Sequence, residues 1–306
     1  MPLRASRFTD RALLAVWLGL TPAVAAAQAC CSGASAITPG RLALHEDILA
    51  GAAVKAADQL GSYTPAAAYV GASRGAYEVD LEQDVFASAR LFDRAQLSLL
   101  LPVVETYRAV PALSDFGGGL GDLNLSGRYD FIDAGESLRW PGLAVLVGVT
   151  APTGRPPEKA TGVLASDSTG IGTWQFTLGA AAEQTFGRWL VNVSALATER
   201  LSRSVDGVHE LLGPQFTFLV AGGYAFENEM AVALVASYVV ELAATIDGQP
   251  APGTEHQLPS LTLSCSTPLG ESFRLQASVG DTLWPSLGRN QPAGLTLAVT
   301  LVRVWT

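Results

Sequence analysis

The run YEVDLEQDVF, residues 77 to 86, places Glu78, Asp80, Glu82 and Asp84 at every second position. A strand has a period of two, so the four carboxylates share one face, with Val79, Leu81 and Val85 on the other. GGGLGDLNLSGRYDFI, residues 117 to 132, repeats the arrangement with Asp122, Asn124, Ser126, Arg128 and Asp130 set against Leu123, Leu125, Tyr129 and Phe131. The same phase adds Glu183, Glu229 and Glu241 to the acids and Arg90, Arg200 and Arg274 to the bases, nine against four. If water wets that face, surplus acid favours cations and polar neutral solutes over anions. The other reading is that these charges pair, or simply solvate and fill the space they face.

Other chemistry-bearing patterns are incomplete. GASRG at 71 to 75 matches the G-x-S-x-G nucleophile motif, which needs a strand before Ser73 and a helix after it; AYEVDLEQDVF, which follows, alternates like a strand. Each histidine neighbours a glutamate, His45-Glu46, His209-Glu210 and Glu255-His256. Adjacent residues of an extended chain point apart and chelate poorly. GGGLGD completes no phosphate-binding pattern. No catalytic residue, metal-ligand set or cofactor motif is therefore assigned. Cys30, Cys31 and Cys265 are an odd number of thiols without a CxxC spacing.

The elements that position the acids must suit an unusual composition. Of 306 residues, 49% are hydrophobic and 15% charged, with net charge -9; soluble domains carry roughly 25% charged residues. With no basic cluster, nucleic acid is excluded as a partner. Arg4, Arg7 and Arg11 precede the apolar run Leu13 to Leu20 and the small-residue segment TPAVAAAQA, a secretory signal pattern with cleavage after Ala27 or Ala29. Pro22 and the shortness of the run argue against an uncleaved span. A lipoprotein start at Cys30 would want Leu three residues earlier, where Ala27 stands. The expected organisation is a signal peptide over 1–29, a short periplasmic segment over 30–40 and one β-domain over 41–306. No later run is long and apolar enough for a membrane helix.

Period-two patterning and turn residues predict twelve strands, near 41–54, 76–92, 94–107, 119–133, 140–152, 172–186, 188–200, 213–226, 229–244, 254–268, 272–284 and 293–305. Connections after even-numbered strands are short; those after odd-numbered strands are longer. That alternation, with apolar faces on every strand, predicts an all-β fold: a closed antiparallel transmembrane barrel of about twelve strands, acyl chains outside and a polar lumen inside. Trp140, Phe186, Trp189, Tyr224, Phe226, Phe273 and Trp305 fall beside the short turns or the C-terminus, where an interfacial girdle belongs. Outer-membrane lipid, the barrel-assembly machinery and a small-molecule solute are the expected partners.

Gly119-Leu120-Gly121-Asp122 with Leu125 and Arg128-Tyr129, then Pro152-Thr153-Gly154, then Gly170-Ile171-Gly172 before Gln175-Phe176, resembles the outer-membrane family named for the MetA pathway of phenol degradation, over roughly residues 76 to 305. The resemblance implies a cell outer-membrane barrel passing small, often aromatic or hydrophobic, molecules, and no catalytic residue. The chain ends Trp305-Thr306, whereas such barrels commonly finish on an aromatic. The expected pore-lining set is Glu78, Asp80, Glu82, Asp84, Arg90, Asp122, Arg128, Asp130, Glu183, Arg200, Glu241 and Arg274. The rival expectations are a structural or adhesive barrel with a plugged lumen, and a barrel lipid hydrolase, which would need a histidine beside a serine on a strand.

Overall fold

The computed structural model describes residues 41–306 apart from 44, 138, 285 and 286. The expected signal peptide and the 30–40 segment, with Cys30 and Cys31, lie outside the described residues. The strands are β1 (Ile48–Tyr63), β2 (Tyr69–Gly71), β3 (Tyr77–Phe92), β4 (Ala95–Val110), β5 (Leu113–Leu120), β6 (Leu123–Ile132), β7 (Gly142–Ala151), β8 (Gln175–Phe186) and β9 (Trp189–Arg200). They continue as β10 (Arg203–Val205), β11 (Val208–Leu211), β12 (Gln215–Ala225), β13 (Ala231–Glu241), β14 (Thr245–Ile246), β15 (Gln249–Pro250), β16 (His256–Leu269), β17 (Phe273–Asp281) and β18 (Pro292–Trp305).

Twelve of them, β1, β3, β4, β6 to β9, β12, β13 and β16 to β18, pair antiparallel with their neighbours in chain order. The ring closes where β18 pairs β1, from Ile48 opposite Trp305 to Ser62 opposite Pro292. Closure leaves no edge, so every barrel strand can satisfy its backbone without water. The small sheet β10-β11-β14-β15 joins two of the longer loops above the rim. Both described ends of the chain lie with the short turns.

Alternation sets the two faces. On β8, Phe176, Leu178 and Ala180 are exposed, while Ala181 and Glu183 on the opposite phase are buried. Leu178 and Leu297 are each 61% exposed, so no protein core covers the outer face. A band this apolar needs lipid against it. The expected girdle is there as well: Trp140, Phe186, Trp189, Phe226, Phe273 and Trp305 are exposed, and Tyr224 stacks edge-on with Trp189 and Phe226. Among the described residues no helix is long and apolar enough to cross a membrane.

Two expectations need correction. The first strand begins at Ile48, not near 41, and runs to Tyr63, because the alanine-rich stretch 50–57 gives alternation little contrast in side-chain size. The connection after the third barrel strand, expected to be long, is a tight turn at Pro111-Ala112 between β4 and β5. Ala112 takes φ 70° there, so the turn carries no glycine to announce it. The glycines at 117–119 lie inside β5 instead, which continues β6 beyond a break at Gly121-Asp122.

Candidate functional site

The acids of β3 face inward and form one wall with β1 and β4. Arg108 donates to Glu78 at 2.9 Å. Gln59 donates to Glu78 at 3.0 Å and to Asp80 at 2.8 Å, and the Thr106 hydroxyl reaches Asp80 at 2.7 Å. One level nearer the periplasm, the Lys55 ammonium lies 2.9 Å from Glu82 and 2.6 Å from Asp84. Four carboxylates thus face two cations, a local charge of about -2 (4 − 2). The wall stays wet at Glu82, whose side chain is 38% exposed, and dries at Asp84, 4% exposed.

The inward faces of β7, β8, β9, β12 and β13 carry polar groups such as Thr177, Glu183, Ser194 and Thr198 and, between them, apolar side chains. Ala144 and Leu146 of β7, Ala181 of β8, Leu196 of β9, Leu219 and Ala221 of β12 and Val235 of β13 form one buried cluster. The interior therefore has a packed hydrocarbon side and a hydrated acidic side.

Further charges inside are paired. Arg128 lies 2.7 Å from Asp130 and 3.0 Å from Glu183, and Asn192 donates to Glu183 at 2.9 Å. Arg200 reaches Glu241 at 2.8 Å, the Gln215 amide at 2.7 Å and the Gly213 carbonyl at 3.1 Å, at the loop end of β9. Glu229 sits in the β12–β13 turn with φ 63°, on the rim of the periplasmic mouth rather than on a strand.

Residues 41–47 enter the barrel from the periplasmic end. Arg41 pairs with Glu183 and lies 3.7 Å from Asp130. The Leu42 amide donates to Gln96 at 3.0 Å, and its side chain packs with Leu49, Ala53, Phe86 and Val302. A Cβ at Gly51 would fall 2.7 Å from the Phe86 ring; only glycine leaves the ring its place. Glu46 meets Arg274 at 2.6 Å, and Arg90 donates to the Glu46 carbonyl at 3.1 Å and to the Ala43 carbonyl. Arg90, Arg128, Asp130, Glu183 and Arg274, expected as separate lining groups, are brought together on this segment.

Asp122 sits at the other end, where β5 meets β6. Its carboxylate accepts from the amides of Gly154 at 2.9 Å and Ile171 at 2.8 Å. Thr153 donates to the Gly121 carbonyl at 2.7 Å and accepts from the Leu123 amide at 2.9 Å. A Cβ at Gly170 would fall 2.4 Å from the Asp122 carboxylate, so glycine is required for this approach. The three glycine-containing motifs of the sequence are one knot, and it pins both ends of the loop 153–172. Inside the loop, the amides of Thr161 and Gly162, the Thr161 hydroxyl and Arg155 hold the Asp167 carboxyl well below the usual range.

Asp122→Ala strands two amides, which costs about 1–3 kcal/mol of local stability and should speed amide exchange across 154–171 roughly ten- to hundredfold. Hydrogen exchange read by mass spectrometry checks this, and unchanged protection refutes the knot. In the unaltered protein, the Asp167 contribution is present in full above the unfolded carboxyl pKa of about 4 and is lost progressively as pH falls from there through the depressed folded value. Loop protection, corrected for intrinsic exchange, should be flat above about pH 4, begin to fall below it and go on falling toward the depressed folded value.

Two cavities open at opposite ends: about 950 Å³ on the periplasmic side, bounded by His45, Glu46, Glu229 and Arg274, and about 780 Å³ on the loop side, bounded by Gln59, Tyr63, Glu78, Arg108 and His256. Among the described residues no group of three or more His, Cys, Asp or Glu is arranged to hold a metal. Ser73 lies between β2 and β3, without the helix a nucleophile elbow requires.

A family model described as "Putative MetA-pathway of phenol degradation" matches residues 55–297. The chain belongs to this family. The resemblance read from the glycine motifs is borne out, and the family's span opens inside β1 and closes inside β18, so it takes in the ten barrel strands between them and part of each of those two while leaving out Arg41 and Glu46. Among solved structures, the COG4313 outer membrane channel from Pseudomonas putida F1 has a TM-score of 0.71 at 17% identity, covering 85% of this chain and 96% of that one. At that identity the likeness is one of fold. The transport unit of the autotransporter AIDA-I from Escherichia coli gives a TM-score of 0.46 at 6% identity, with 89% and 96% covered. The KdgM porin gives 0.44 at 8%, with 84% and 99% covered; neither carries further weight. No curated protein matches the chain. The fold is that of a cell outer-membrane barrel, its apolar band set against lipid.

Proposed function

We propose that this protein is a passive outer-membrane channel for small solutes, favouring cationic or neutral molecules with an apolar body. The observation that carries the reading is the two-sided lumen. A solute moving along β1, β3 and β4 meets the partly exposed Glu78 and Glu82, in a barrel whose β7 to β9 and β12 to β13 side carries a packed hydrocarbon cluster. That pairing suits an aromatic or aliphatic body bearing a polar group, and it repels anions. The COG4313 protein is itself described as an outer membrane channel, and the family is described in terms of phenol degradation; both support the same direction. A twelve-stranded ring is narrower than the 16- to 18-stranded porins, and residues 41–47 narrow it further. No catalytic step is needed.

Purified protein in planar bilayers should therefore give a small conductance with cation preference. A deletion strain should lose uptake of small aromatic solutes. Absence of conductance together with unimpaired uptake overturns the channel reading.

A further inference from the structure

Arg303 is out of place. It stands two residues before the end of β18, in register with Ala50 of β1 and Phe273 of β17, on the outward phase that also carries Leu301 and Trp305, and it is exposed. Its guanidinium lies 4.8 Å from the Trp305 ring centroid and 5.6 Å from that of Phe273. Arg94 and Arg188, at other short turns, reach carboxylates at Glu136 and Glu227. Among the described residues no carboxylate pairs with Arg303. A lipid-facing arginine costs about 2–4 kcal/mol at the bilayer midplane but only about 0–1 near the interfaces. The girdle position of Phe273 and Trp305 sets this one at the interface.

The two rings hold the guanidinium by its face, and a guanidinium held by its face keeps its N–H edge for an acceptor at that depth. We propose that Arg303, clasped by Phe273 and Trp305, is a binding site for the phosphodiester headgroup of a phospholipid in the periplasmic leaflet. The fork matches two phosphate oxygens. The rings, with Leu301 and Ile48, give the adjoining acyl chains an apolar wall, which free phosphate would not use. Ala50, directly opposite on β1, leaves room above the seam.

Native mass spectrometry of the detergent-solubilised full chain, titrated with phosphatidylglycerol, tests the site. Arg303→Gln is expected to weaken the tightest bound phospholipid about tenfold, while Arg188→Gln leaves it unchanged. Equal lipid affinity in Arg303→Gln and the unaltered protein overturns the proposal. So does displacement of that lipid by millimolar inorganic phosphate, which would mark a free-anion site. Should Arg303→Gln fail to fold, Arg303→Lys keeps the charge without the fork, and at least threefold weakening is expected; unchanged affinity in that variant also overturns the proposal.

Discussion

Replacing Glu78 and Glu82 with glutamine is expected to bring the cation-over-anion permeability ratio close to one. The wall they occupy holds four carboxylates against Lys55 and Arg108, so removing two acids takes its charge from about -2 to about zero. A permeating ion ~7 Å from each charge feels about 0.6 kcal/mol per charge even at the dielectric of water, with opposite sign for cation and anion, so the two charges together change the ratio by about fiftyfold before salt screens them. Reversal potentials across a KCl gradient read this directly. The gradient should be kept near 0.1 M, since at 1 M the screening length falls to about 3 Å and hides the wall. Glu227→Gln is the control, because that residue pairs with Arg188 in a periplasmic turn. A reversal potential unmoved by the double substitution would mean that ions do not pass along β3.

Strands with one polar and one apolar face were open to reading from the sequence. Phe273, Leu275, Ala277 and Val279 alternate with Arg274, Gln276 and Ser278, and β17 follows that phase. β7 could be placed but not oriented: its core, Leu143 to Val149, is apolar on both phases, so nothing local told that Leu146 turns into the lumen and Val147 toward lipid. The hydrocarbon side of the interior stayed hidden for that reason.

The acids could be found by their spacing, but their partners could not. Lys55 lay beyond the expected end of the first strand, in a stretch of alanines with weak alternation. Arg108 does share the phase of Thr106, two residues earlier on β4, and that signal could have added it to the lining set. Asp122 shows a different limit. Its inward phase was visible, yet its carboxylate is occupied by Gly154 and Ile171, 32 and 49 residues away. Period-two reasoning says which way a side chain points and is silent about a loop that folds back to meet it.

Arg128→Ala is expected to destabilise the barrel by about 3–5 kcal/mol, the cost of removing one partner from a buried ion pair. Its side chain is 7% exposed and that of Glu183 is 5% exposed, so water cannot replace the guanidinium. Glu183 would keep Arg41 and Asn192, which places the effect toward the lower end of that range. The same change loosens the periplasmic segment, because Arg41 bridges Glu183 and Asp130, and both carboxylates are oriented by Arg128. Urea unfolding in lipid, followed by tryptophan fluorescence, reads the stability. Single-channel recording reads the second consequence, a larger or longer-lived conductance as residues 41–47 leave the lumen. Arg128→Lys keeps one positive charge but cannot fork between two carboxylates, so it should fall between the alanine variant and the unaltered protein in both measurements. Loss of stability with conductance unchanged would separate the two roles and show that the segment does not depend on this pair.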